Sequence, residues 1–345
     1  WDFPSAGTEG FKLLDAPANY SGWTLASWTF RKAKKFFDVV TYTGNATSGR
    51  TIAHSLGSTP GMMIVKQTSG AYNWQIYHSG FGATKFLEFN TGATQTSTAI
   101  WNDTAPTDSV FTVGNEYGVN RSGYTYVAYL FASDAGGYGD DGTENIIKCG
   151  TLTTDGSGNG TASLGWEPQF VLYKNSTGAG NWTVVDTMRG FGVDFNARLS
   201  PNTSAAEVST SPDMFLRTQG IEMIGGDASA TLVFIAIRRP MKTPEVGTEV
   251  FAIGQGDGDA DVPDYISNFP VDAAITKRTS AGNNGRMSSR LTGANYLSPN
   301  LTQAESADGA ATFDFMNGWG SDGANRNTDE YAWMFKRATG FMDVV

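Results

Sequence analysis

His54 and His78 are the only imidazoles in the chain. Nucleophilic catalysis of the Ser-His-Asp kind needs a histidine held by an acid and reaching a hydroxyl, and no serine here is singled out for that role. Glu88, Asp103, Asp108, Asp186 and Glu207 are the carboxylates that a glycosidase would pair across a scissile bond. The run DGDAD alternates Asp257, Asp259 and Asp261 as the opening of a calcium loop does. Val262 stands where an EF-hand needs glycine, and no glutamate closes the loop. These three aspartates are therefore candidates for a looser Ca2+ site, or form an acidic turn. No phosphate loop, zinc spacing or dinucleotide fingerprint is present. The sequence thus predicts no catalytic residues, no cofactor beyond that calcium, and no enzyme.

Tryptophan can stack on a sugar ring as well as fill a core. Trp74, Trp182, Trp28 and Trp333 lie in strand-like runs at recurring places, which predicts core packing. Trp101 lies in the loop-like segment WNDTAP and is the candidate for glycan contact. Cys149, the single cysteine, sits in the apolar run IIKCG and reads as a small buried hydrophobe. With no second cysteine, no intrachain disulfide forms.

These residues must be held by short strands. Glycine is abundant at 42 residues and charged residues are only 17%. No stretch shows a sustained helical stripe, whereas FDVVTY, GMMIVK, NWQIYH, KFLEF, VFTV and TYVAYLF are β-rich runs bounded by Gly, Asn, Pro and Ser. In YVAYLF both alternating sets, Tyr126/Ala128/Leu130 and Val127/Tyr129/Phe131, are apolar, which predicts a sheet covered on both faces. Either bulky loops cover the second face, or a neighbouring module or another chain does. The formal net charge of -10 argues against nucleic acid. No apolar run is long enough for a membrane helix, so no membrane insertion is expected. The N-terminal WDFPSAGTEG lacks the basic and apolar regions of a signal peptide.

Self-comparison organises the chain. SWTFRKA at 27–33 returns as AWMFKRA at 332–338, and FFDVV at 36–40 as FMDVV at 341–345. Tyr129, Ile235 and Trp333 hold one place in three similar runs, and LSPN at 199–202 returns at 297–300. In the same alignment His54 meets Ala162, and His78 meets Asp186. The expected fold is all-β: a tandem array of about three β-sandwich or jelly-roll-like modules of roughly 100 residues. Residues 1–36 would be the C-terminal half of a preceding module. The modules themselves would span 37–141, 142–243 and 244–340, and residues 341–345 would begin a following strand. The Gly- and Asp-rich segment 134–142 reads as a turn or short linker.

FDVVTYTGN, the stretch GRTIAHSLGSTPGM at 49–62, WNDTAPT and YVAYLFA resemble a repeated domain of largely unknown function in long structural, tail-fibre-like proteins of marine bacteriophages. IIKCGTL, LGWEPQ, DTMRGF and IRRPMKTPE resemble companion modules of the same proteins. The resemblance implies a virion protein on the particle surface, in a tail fibre or other appendage, and it transfers no catalytic residues. The expected partners are further copies of the chain, other virion proteins and host-surface polysaccharide. A carbohydrate-binding adhesin, a capsid decoration protein and a polysaccharide depolymerase are the alternatives.

Overall fold

The computed structural model describes residues 26–90, 92–139, 141–189, 197–208, 214–239, 243–256, 258, 263–280, 282–290, 292, 295–307, 313, 315, 317–320, 328–338 and 340–344. Most of the half-module expected at 1–36, and Asp257, Asp259 and Asp261 of the candidate calcium loop, lie outside the described residues.

The fold is all-β, built of antiparallel sheets. The first module contributes β1 (Phe37–Thr43), β2 (Arg50–Ala53), β3 (Pro60–Gln67), β4 (Gln75–His78), β5 (Lys85–Glu88), β6 (Gln95–Thr96), β7 (Val110–Val113) and β8 (Thr125–Ala132). The second contributes β9 (Ile147–Thr153), β10 (Gly160–Ser163), β11 (Pro168–Asn175), β12 (Thr183–Asp186), β13 (Met214–Arg217), β14 (Gly220–Met223) and β15 (Thr231–Arg238). The third contributes β16 (Phe251–Gln255), β17 (Tyr265–Ile266), β18 (Ala273–Arg278), β19 (Arg286–Ser289), β20 (Asn295–Tyr296), β21 (Ser306–Ala307), β22 (Gly318–Trp319) and β23 (Glu330–Phe335). Two single-turn helices, α1 (Thr98–Trp101) and α2 (Tyr117–Asn120), lie between strands of the first module.

One strand order recurs. The main sheets run β1-β8-β3-β4, extended by β5 and β6, then β9-β15-β11-β12, then β16-β23-β18-β19. In each, the last long strand of the segment is inserted beside the first. A small sheet backs each main sheet: β2-β7, β10-β14-β13 and β17-β22. Local chemistry repeats with the topology. Lys32 pairs with Asp38 at 2.6 Å, and Arg337 pairs with Asp343 at 2.7 Å, each across a tight turn closed by an Ala33–Phe37 or Ala338–Met342 bridge. Lys66, Lys174 and Lys277 occupy one register position, and each ammonium donates to a carbonyl of the loop that follows: Tyr72, Gly178 and Asn283. Lys174 is fully buried, and burial pulls its pKa down.

The two-faced strands are explained by what covers them. In the second module one face of the main sheet, with Leu152, Val171, Tyr173, Leu232 and Phe234, packs on Ile221, Met214 and Met223 of the small sheet. The other face, with Ile147, Cys149, Leu172, Val184, Val233, Ile235 and Ile237, joins the core of the first module. The first two modules therefore share a single hydrophobic core. Each of these aliphatic side chains contributes about 1.5–3 kcal/mol on full burial, so the junction is of the same nature as a domain interior. In the segment expected to be a turn or short linker, Tyr138 bridges to Glu144 and donates its hydroxyl to the Lys34 carbonyl, and the Gly136 amide donates to the Asn145 side chain.

Candidate interaction surface

The sequence-predicted site residues scatter. Trp101 ends α1, whose first turn is capped by the Ser97 hydroxyl accepting from the Ala99 amide. That turn swings the indole inward, where it is fully buried and edge-on to Tyr77 with ring centres 6.1 Å apart. Trp101 is thus a core residue, and its assignment to glycan contact is corrected: a helical turn replaces the loop the sequence suggested. Trp74 departs in the other direction. It is 38% exposed, with the Lys66 ammonium 5.8 Å from its ring centre and Tyr129 stacked beneath it. Trp182, at the equivalent place, is buried because Phe89 of the first module stacks on it at 5.2 Å and the Glu88 carbonyl accepts its N–H.

His78 is fully buried at the junction of the first two modules. Its Nε2 donates to the Phe234 carbonyl at 3.1 Å, while its Nδ1 accepts the Gly80 amide at 3.0 Å. That pairing fixes the neutral tautomer, and burial pushes the pKa down to about 4. His54 is half-buried, with both ring nitrogens on backbone partners of Thr107 and Leu56, and burial lowers its pKa too. Cys149 is buried and free, its thiol pKa raised by burial, and its Sγ donates to the Ala132 carbonyl. Of the candidate carboxylates, the structure joins Asp186 to Glu207, through Arg189 standing between them at 2.7 and 2.8 Å. Trp28 closes over that guanidinium and donates its N–H to Asp186. Glu88 accepts from Asn73, Gln75 and Asn90, and Asp103 and Asp108 are exposed. Burial alone would raise the Asp38 pKa, but the Lys32 ammonium and the Ser55 and Val39 amides hold it below the ordinary value.

The structure organises instead a set of equivalent sheet faces, visible as one row of side chains across each main sheet. Register aligns Val39, Tyr129, Ile64, Ile76 and Leu87 in the first sheet. It aligns Cys149, Ile235, Leu172, Val184 and Leu199 in the second. In the third it aligns Ile253, Trp333, Ile275, Met287 and Leu297. The first two rows face the shared core: in the second sheet Cys149, Ile235, Leu172 and Val184 are buried, and in the first Ile76 and Leu87 are. In the third row Ile253 is 58% exposed, Met287 43% and Leu297 42%, although the opposite face of that sheet packs normally on Tyr265, Phe313 and Trp319. The sequence carried the signal for this row, since the repeat aligns Tyr129, Ile235 and Trp333, but it did not show which copies were covered.

The second and third modules meet through polar groups. Arg290, 5% exposed, donates to Asp272 at 3.1 Å and to the carbonyls of Thr187, Met188, Val271 and Phe313. Arg337 reaches across to Glu167 at 2.7 Å, with Arg239 beside it. A cleft of about 130 Å³ lies between these side chains. Other exposed aromatics are Trp74, Tyr72, whose hydroxyl donates to Glu116, and Tyr117, 53% exposed with Arg121 over its ring.

No group of three or more His, Cys, Asp or Glu side chains that could hold a metal occurs among the described residues. No helix among them is long and apolar enough to cross a membrane. No curated protein and no solved structure matches the chain. A family match covers well over half of it, running through the first module and ending inside β15. Matched over residues 7–236, the chain belongs to the family described as a domain of unknown function (DUF7483).

Proposed function

We propose that this chain is a structural segment of a virion surface appendage of the tail-fibre kind, in which β-modules packed sheet to sheet supply reach and stiffness. The observation that carries this reading is the shared core of the first two modules, continued by the buried arginine junction to the third. Linkers between independent beads would let an appendage bend freely, whereas a continuous apolar core resists bending because every hinge movement exposes apolar surface. The resemblance to tail-fibre-like phage proteins points the same way. Electron microscopy of particles labelled with gold-conjugated antibody to this chain tests it. Gold along a thin appendage is the expected result, gold spread over the shell would favour a capsid decoration protein, and unlabelled particles would sink the virion reading.

A second activity, attachment to host polysaccharide, is favoured by the exposed aromatic side chains Trp74, Tyr72 and Tyr117. Flat aromatic faces beside polar side chains such as Asn73 and Asn90 suit the two kinds of surface on a sugar ring. Many shallow contacts of this kind along an appendage add up by multivalency. A glycan array probed with the full chain tests this reading, and binding that persists unchanged in Trp74→Ala would contradict it.

A further inference from the structure

We infer that the cleft between the second and third modules binds the carboxylate end of a hexuronic acid unit in an acidic polysaccharide. The inference rests on the attachment reading above and deepens it, giving the polysaccharide a chemical class and a second point of contact. The cleft forms where strand ends meet. Glu167 precedes β11, and Thr187 and Arg239 follow β12 and β15. From the third module Asp272 precedes β18, Arg290 follows β19, and Lys336 and Arg337 follow β23. Arg238-Arg239 and Lys336-Arg337 are the same basic pair, placed after the last long strand of each module. The repeat itself therefore brings cations to one place from both sides.

The junction does not use all of this charge. Four cationic side chains and two carboxylates line the cleft, in a chain whose net charge is -10. Arg290 is occupied by Asp272 and by backbone carbonyls. Arg239 and Arg337 share Glu167 and Asp343, the first through Nε and Nη1, the second through Nε and Nη2. Nη2 of Arg239, Nη1 of Arg337 and the Lys336 ammonium have no acceptor among the described residues. Such a group of donors suits a carboxylate, which accepts on both oxygens. The remaining lining suits a sugar ring. Gln169 and Thr187 bring an amide and a hydroxyl, and Pro270 and Met188 bring apolar surface for the C–H face of the ring. The volume of about 130 Å³ takes the acidic end of one unit, since enclosing a whole ligand needs roughly 300 Å³ or more.

Isothermal titration calorimetry of the full chain with tetragalacturonate at low salt tests the inference. The native chain should bind it, and should bind the fully methyl-esterified tetramer at least about 10-fold more weakly. Lys336→Gln should weaken binding about 10-fold or more. Its melting temperature should not change, because the lost ammonium has no partner among the described residues. Lys85→Gln, the same charge change at an exposed position of β5, should bind as the native chain does. Inorganic phosphate at equal concentration should fail to displace the tetramer. Undiminished binding in Lys336→Gln overturns the inference, as does an equal loss in Lys85→Gln or equal binding of the ester. Displacement by phosphate also overturns it, since the cleft would then be a bare anion site. A chain that binds neutral glycans through Trp74 but not tetragalacturonate keeps the attachment reading and overturns this one. A chain that binds neither overturns both.

Discussion

Ile235 and Trp333 occupy the same position on the same strand of two sheets of identical order, yet Ile235 is buried and Trp333 is only half-buried. The difference lies in the neighbour rather than in the strand. Ile235 faces the first module, and Trp333 faces outward. Burial here is a property of the array, which makes several substitutions informative.

The glycines at the junction of the first two modules set how closely the sheets approach. A Cβ on Gly80 would lie 2.4 Å from the Thr151 methyl. Gly80→Ala should destabilise the chain by about 1–3 kcal/mol through overpacking. Gly80→Ala with Thr151→Ser, which removes that methyl, should recover most of the loss. Chemical denaturation of the single and double variants reads the coupling, and simple additivity would show that the two residues are not in contact.

His78 should make stability depend on pH. Its folded pKa of about 4 lies below the ordinary 6.5, so the unfolded chain takes up a proton that the folded one refuses. The contribution of the neutral ring is fully present above about pH 6.5 and is lost as pH falls toward 4. Melting temperature should therefore decline across that window. In His78→Gln it should start lower at pH 7.5 but fall less steeply. An unchanged slope would remove His78 as the cause.

Arg290 should be the costliest single side chain at the second junction. Arg290→Met leaves the carbonyls of Thr187, Met188, Val271 and Phe313 without that donor and Asp272 without its guanidinium. A loss of about 3–5 kcal/mol is expected, the scale for breaking a buried ion pair from one side. Hydrogen exchange should show the loss in β18 and β19 before β8. A cost below about 1 kcal/mol would mean the site is hydrated.

The two tryptophans whose placements the sequence inverted give a paired test. Trp101→Ala should cost about 3–5 kcal/mol as a core truncation and leave polysaccharide binding by the surviving fold unaffected. Trp74→Ala should leave stability within about 1 kcal/mol, as exposed positions do, and reduce binding. Calorimetric melting and glycan-array titration of both variants separate the roles.

Much of this architecture was legible in the residues. The runs FDVVTY, GMMIVK and TYVAYLF became β1, β3 and β8, because β-branched and aromatic residues bounded by turn formers leave little choice. The double-sided apolarity of YVAYLF required cover on both faces of β8, and residues of both alternating sets pack into the core. The fate of Trp101 was not legible, since a single capped helical turn decides it and is too short to leave a periodic stripe. Trp74 and Trp182 could not be told apart either, because the stacking partner of Trp182 is Phe89, far away in the chain. A face-to-face pairing of modules is a relation between copies of one pattern, and the pattern alone does not say which copies meet.

The most direct test of the shared core is native-state hydrogen exchange of the full chain, resolved to β8, β15 and β23 across a denaturant series. If the first two modules are one cooperative body, the amides of β8 and β15 open with the same free energy and the same denaturant dependence, while β23 follows its own. If β15 exchanges through an opening that leaves β8 protected, the modules are separate beads and the account of a stiff, continuous array fails.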